Sequence, residues 1–183
     1  MNYMKIDKCS VSDGIGVRTV LWVSGCSLHC KGCHNPEAQD FNAGIPFTNE
    51  TIEDILYLAD QSYISGLTIS GGHPLENKNL PVIYDLLTVF RNHWFVGDKS
   101  IWLYTGYTWE ELQEKEKIYE DLDINGYSPL DIAKLCDVVV DGQYIDSLRD
   151  ITLPFRGSSN QRIIDVQATL NNLNGEITLW DQS

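Results

Sequence analysis

Cys26-Ser-Leu-His-Cys30-Lys-Gly-Cys33 puts three thiols within eight residues of one another. Three thiolates on one short loop can hold three corners of a metal centre and leave a fourth position open. Structural zinc normally closes with four protein ligands, whereas a catalytic centre keeps one position free for substrate. An iron–sulfur cube held by three cysteines likewise leaves one iron for a small molecule. Other chemistries share part of the pattern. Cys30-Lys-Gly-Cys33-His34 fits the haem-attachment spacing, but covalent haem usually belongs to exported chains. His29 or His34 could complete a zinc set with the cysteines, although His34 follows Cys33 too directly to reach the same metal easily. A redox pair at Cys30 and Cys33 would leave Cys26 without a role.

Ser70-Gly71-Gly72-His73-Pro74 is the second candidate. Paired glycines let the backbone approach a ligand closely and reach dihedrals that other residues avoid. Alone the pair is a tight turn; beside a metal loop it becomes a cradle for the amine or carboxylate of a small molecule. Cys9 and Cys136 lie far from the loop and read as small buried hydrophobes. His29 and His93 read as surface or packing residues.

The elements that must position these groups alternate. Val17 to Ser24 is β-branched and aromatic and runs straight into Gly25 and the cysteine loop, so it predicts a strand that delivers the loop. Thr48 caps a helix expected through residue 62. Gly66 to Ser70 is a short buried strand ending at Gly71-Gly72. Pro81 begins a helix with Ile83, Leu86, Leu87 and Phe90 on one face. Ser100 to Thr105 is a strand closed by Gly106, and a strongly charged helix follows Thr108. Asn125-Gly126 to Pro129 signals a turn, Asp131 to Leu135 a short helix, and Asp137 to Val140 a strand ended by Asp141-Gly142. This order predicts an α/β protein with a mainly parallel sheet. Ligands gather at the carboxyl ends of such strands. The cysteine loop, Gly71-Gly72, Thr105-Gly106 and Asp141-Gly142 should therefore meet at one site. Ile163 to Val166 and Glu176 to Trp180 flank Asn174-Gly175 and predict a terminal hairpin or two edge strands.

Bulk composition narrows the classes. The 183 residues suit one domain with a single core, 43% of them apolar. Met1 to Lys8 carries no apolar stretch, so no secretory signal is expected, and no run is long enough for a membrane span. A reducing cytoplasm follows as the expected compartment, where cysteines serve as thiols or metal ligands. The net charge of −13 argues against nucleic acid, whose binding depends on Lys and Arg neutralising phosphates.

With its cysteine spacing, the chain resembles the radical S-adenosylmethionine enzymes. More narrowly, it is similar to the family that activates anaerobic ribonucleoside-triphosphate reductase. That match rests on Asp13-Gly-Ile-Gly-Val-Arg18, Gly32-Cys33-His34-Asn35, Ile101-Trp-Leu-Tyr-Thr-Gly-Tyr107, Val140-Asp-Gly142 and Phe155-Arg-Gly-Ser-Ser-Asn-Gln-Arg162. The resemblance implies an incomplete β/α barrel spanning residues 1–183, with 166–183 as a C-terminal extension. It implies a 4Fe-4S cluster on Cys26, Cys30 and Cys33, whose open iron binds S-adenosyl-L-methionine. It implies a glycyl radical made on the large catalytic subunit of the reductase, with electrons from a flavodoxin or ferredoxin. Gly32, Cys33, His34, Asn35, Gly71, Gly72 and Thr105 are its implied cofactor contacts, and Arg156 and Asn160 are candidates for the cofactor's carboxylate or the partner. One position departs from the family. Relatives carry an acid after the two glycines to accept from the cofactor's ammonium; here it is His73. Neutral imidazole can still accept through one ring nitrogen, and imidazolium cannot. Leu170, Leu173, Ile177, Leu179 and Trp180 are expected to cover an open sheet edge or to meet the reductase.

Overall fold

Four strands joined by three helical crossovers build the centre of the protein, here a computed structural model describing residues 1–95, 97–124 and 126–181. Asn125 of the turn signal and the last two residues of the C-terminal extension lie outside the described residues. Seven strands form one open sheet in the order β3-β1-β2-β4-β5-β6-β7. They are β1 (Asn2–Ser10), β2 (Val17–Val23), β3 (Ile45–Pro46), β4 (Ile64–Gly71), β5 (Ser100–Tyr104), β6 (Val138–Asp141) and β7 (Arg162–Asp165). The central run β2-β4-β5-β6 is parallel, while β1, β3 and β7 pair antiparallel at its flanks. The parallel character expected from sequence thus belongs to the centre of a mixed sheet.

Period-two alternation sorts the strand residues by face. Leu21, Val23, Leu67, Ile69, Ile101, Leu103 and Val139 enter the main core together with the helices. Helix α1 (Asn49–Ala59) contributes Ile55 and Ala59, and α2 (Leu80–His93) contributes Ile83, Leu86, Leu87 and Phe90. Helix α3 (Trp109–Asp121) adds Trp109 and Leu112, and α4 (Pro129–Lys134) adds Leu130, Ile132 and Ala133. Each fully buried Leu or Ile contributes about 1.5–3 kcal/mol relative to exposure. The opposite strand parity gives a smaller cluster of Trp102, Val138, Val140 and Ile163, with Phe155 and Trp180 against it.

Arg18 is wholly buried on that second face. Its guanidinium donates to Thr68 Oγ1, to the carbonyls of Ile15, Leu67 and Ser100, and to Ser100 Oγ. Burial lowers its pKa to about 10. A Cβ on Gly14 would lie 2.8 Å from both Arg18 Cδ and Trp102. The Asp13 to Arg18 motif is therefore the packing that closes the underside of the sheet.

Two elements differ from the sequence expectation. β1 went unread because its polar and charged residues, Lys5 and Asp7 among them, mask the alternation; pairing with β2 supplies what propensity does not. At the C-terminus the first expected strand is present as the edge strand β7, but among the described residues no second strand follows it. The Asp165 carboxylate accepts from Ala168 N–H at 2.8 Å and turns the chain into a short helix, α5 (Val166–Leu170). The chain then returns to β7 through a single bridge, Ile164 with Leu179. Among the described residues no helix is long and apolar enough to cross a membrane.

Candidate active site at the strand ends

The four parallel strands end side by side, and each hands its last residue to a loop of the site. Cys26, Cys30, Cys33 and His34 from the loop after β2 share one cleft with Gly71, Gly72 and His73 after β4, and with Thr105 after β5. Gly142 after β6 completes the wall. The convergence expected from sequence is thus present.

Main-chain bonds knit the loop after β2 to the turn after β4. Gly72 N–H donates to Val23 O at 2.8 Å, and His73 N–H to Gly25 O at 2.7 Å. The buried Asn79 amide adds bonds to Ser24 O and His73 O, both at 3.1 Å. This closeness is what requires the glycines. A Cβ on Gly71 (φ +112°) would lie 2.5 Å from Val23 backbone, and one on Gly72 would lie 2.6 Å from Gly25 O and Ala38 O. The pair lines the cleft, but the backbone it lets approach is the chain's own.

The thiols differ in surroundings. Cys26 is buried, and Cys30 and Cys33 are partly exposed. Burial raises the Cys26 pKa, with the nearby Glu76 charge adding to it. Capture of a metal there would release a proton. Asn35 N–H donates to Cys33 Sγ at 3.4 Å. His34 is exposed and sits edge-on to Trp22, 6.0 Å between ring centres. His29 is exposed, with Nδ1 3.0 Å from Gln39 Oε1. His93 is exposed beside Trp94. Cys136 is buried as expected, but Cys9 is exposed, because it lies on the outward side of the unforeseen β1.

His73 is 1% exposed, and both ring nitrogens face protein groups. Nε2 lies 2.8 Å from Thr105 Oγ1, and Nδ1 lies 3.4 Å from Glu76 Oε1. That second contact falls outside hydrogen-bond geometry and leaves Nδ1 a buried atom without a bonded partner. Glu76 Oε1 meanwhile accepts from Ser27 N–H and Ser27 Oγ, at 2.7 and 2.6 Å. The His73 contact and the Ser27 donors hold the Glu76 pKa down at about 2.

Arg156 and Asn160 both make loop contacts. Asn160 donates to Gln143 O at 2.8 Å, and Arg156 to Gln161 O at 2.9 Å. Gln161, which sequence reasoning passed over, clamps the segment: its amide donates to Gly142 O and its oxygen accepts from Gly157 and Ser158 N–H. Glu76 and Ser27 were also missed. They stand 49 residues apart, so no local pattern announces them.

Donor chemistry and space both fit a thiolate-held cluster. Soft thiolates select iron–sulfur centres, zinc or copper(I). Among the described residues no three Cys, His, Asp or Glu side chains converge to hold a single ion. Ligands to a cube need not converge, since each cysteine takes a different iron. The cysteine-lined cleft measures about 110 Å³. A cavity of about 560 Å³ adjoins it, sharing His34 and Tyr144 and including Gly32. Its size is that of a small-molecule site.

The class that this fold and site define is the 4Fe-4S single cluster domain, whose family model matches residues 12–164. Among curated proteins, the anaerobic ribonucleoside-triphosphate reductase-activating protein of Enterobacteria phage T4 is 35% identical over 163 residues, 89% of this chain and 93% of its own length. The proteins of the same name from Escherichia coli (strain K12) and Vibrio cholerae are each 34% identical, over 88% and 89% of this chain. They are covered to 96% and 97% of their own lengths. The chain belongs to this family of reductase-activating proteins.

Proposed function

We propose that this protein is a radical S-adenosylmethionine activase that generates a glycyl radical on the large subunit of an anaerobic ribonucleoside-triphosphate reductase. The observation that carries the reading is the meeting of all three loop cysteines with the ends of β4 and β5 in one cleft. Family membership supports the same assignment. Cys26, Cys30 and Cys33 would hold the cluster. When bound and reduced, it supplies the electron that cleaves S-adenosylmethionine to methionine and the 5′-deoxyadenosyl radical that takes a hydrogen atom from glycine.

The chain's own contribution is placement and exclusion of water. Cys26 is anchored at the end of β2, in the middle of the sheet. Its N–H donates to Gln39 O at 3.1 Å, which fixes the loop at its entry. The N–H of Asn35 on Cys33 Sγ fixes the loop at its exit. Gly71, Gly72 and Thr105 form the wall opposite the cysteines and would meet the methionine end of the cofactor, with Gly32 and His34 toward the larger cavity. On this reading the open sheet is a partial barrel and the chain is one domain, 1–183, with 166–183 as an extension. A flavodoxin or ferredoxin in the cytoplasm supplies electrons.

Electron paramagnetic resonance on anaerobically reconstituted, dithionite-reduced protein tests the assignment. The expected result is a reduced 4Fe-4S signal that changes on adding S-adenosylmethionine, and a glycyl radical once the reductase is added. A protein that binds only zinc would overturn the radical chemistry. A radical formed on a different glycyl-radical enzyme, such as pyruvate formate-lyase, and not on the reductase would overturn the partner.

A further inference from the structure

Glu76 stands behind the cleft and touches two of its walls at once. Its Oε1 takes both donors of Ser27, the residue after Cys26, and faces His73 Nδ1 at 3.4 Å. The side chain is 12% exposed, so this carboxylate has little water to share its charge with. A partly desolvated anion whose charge reaches the Cys26 thiol is costly unless local donors neutralise it. Ser27 provides two. His73 Nδ1 also faces the anion.

The group that bears on the His73 proton is the carboxylate facing Nδ1. Thr105 Oγ1 accepts from Tyr107 N–H at 3.1 Å and keeps both its hydrogen and a second lone pair for His73 Nε2 at 2.8 Å, so it can meet that nitrogen bare or protonated. The neutral tautomer with a bare Nδ1 would set a lone pair against the Glu76 carboxylate. The other neutral tautomer and imidazolium both carry hydrogen on Nδ1, aimed at that carboxylate. Shortening the contact by about 0.5 Å would turn it into an ordinary hydrogen bond and satisfy the orphaned nitrogen.

We propose that Glu76 is the acidic positioning residue of this site: one carboxylate pins the cysteine loop through Ser27 and orients His73 against Thr105. The charge then reaches the cleft wall through a relay, with the Glu76 carboxylate behind and the His73 imidazole between it and Thr105. The ends of β2, β4 and β5 are coupled through it. The placement of Cys26 and the wall that receives the second ligand therefore depend on the same residue. This inference rests on the activase reading for what fills the cleft, but not for the state of His73.

Two measurements test it. Nitrogen-15 histidine NMR on the protein without metal reads the ring directly. Hydrogen on Nδ1 of His73 is expected in the native chain, and its partial loss in Glu76→Gln. A bare Nδ1 in the native chain, or a ring unchanged by Glu76→Gln, would overturn the proposal. The second measurement is titration of the reduced-cluster resonance with S-adenosylmethionine. Glu76→Gln keeps an acceptor for Ser27, so it should load iron normally yet need about tenfold more S-adenosylmethionine for the same spectral change. Glu76→Ala should also lose iron; its circular dichroism checks that it folds, and Glu76→Gln carries the test if it does not. An unchanged titration in Glu76→Gln would overturn the relay. If the native protein itself holds no cluster, the function fails instead, and the NMR result still decides the orientation of His73.

Discussion

Burial pushes the Cys136 thiol well above its ordinary value, with Asp137 adding to the effect and Arg91 opposing it. Its Sγ donates to Ile132 O across 3.5 Å within the core. Cys9 has the same side chain on an exposed strand. Reactivity follows thiolate fraction and access, so the two should separate sharply. In a Cys26→Ser, Cys30→Ser, Cys33→Ser variant, a thiol reagent should label Cys9 in the folded protein and Cys136 only after denaturant is added. Labelling of both at the same rate would mean that the α4–β6 junction opens readily. Single residues also mark how far sequence reading reaches. The cysteine triad is legible because its meaning lies in spacing along one loop. Glu76, Ser27 and Gln161 are not, because their meaning lies in contacts made only after distant strands pair. Cys9 was misjudged for the same reason: its strand had not been recognised.

Among the elements, the end of β6 shows how a motif can serve the frame of a site. Asp141 is fully buried and accepts from Trp109 N–H, at the first turn of α3, at 2.8 Å. It also accepts from Arg162 of β7, which in turn reaches Glu110 of α3. One buried carboxylate thus ties β6, β7 and α3 together beside Gly142. Asp141→Asn keeps the shape but removes the charge that Arg162 faces. It should cost about 2–3 kcal/mol in urea unfolding. The exposed arm of the triad responds to pH. Arg162 holds the Glu110 pKa at about 2, from an ordinary 4.5. Because the folded value is the lower one, this pair stabilises above about pH 4.5 and loses its contribution as pH falls toward about 2. With the Glu110 side chain 56% exposed, solvent screening limits the effect to about 0.2–1 kcal/mol. The stability difference between the native chain and Glu110→Gln should therefore shrink on acidification; a constant difference would show that the ion pair is not its source. Strand–helix alternation made β2, β4, β5, β6 and helices α1 to α4 readable from sequence. The capping boxes Thr108 with Glu111 and Ser128 with Asp131 stand where helix starts were read or nearly so. β1 and the break after β7 were not readable, since pairing and a side-chain cap decided them.

At the scale of the whole molecule the sheet has an exposed flank to protect, and residues 176–181 lie along it. Asp165 N–H donates to Thr178 O, and Trp180 N–H to Ile163 O, each at 2.9 Å. Trp180 also packs edge-on against Trp102, 5.4 Å between ring centres, on the face opposite the helices. The expected edge cover is therefore made by this short return, with Ile177 and Trp180 inward, while Leu170, Leu173 and Leu179 stay exposed. An uncovered edge of β7 would offer free backbone donors and acceptors to another chain, which is how sheets aggregate. Two variants separate the roles of backbone and ring. Trp180→Ala keeps the strand return and loses ring packing, so it should cost about 1–3 kcal/mol and leave the association state unchanged. Truncation after Asn171 removes the return itself and should raise light scattering at concentrations where Trp180→Ala does not. If both variants scatter alike, Trp180 packing is what keeps the return in place. If neither does, the β7 edge is guarded by its short length, and the exposed leucines of the extension are free to meet a partner.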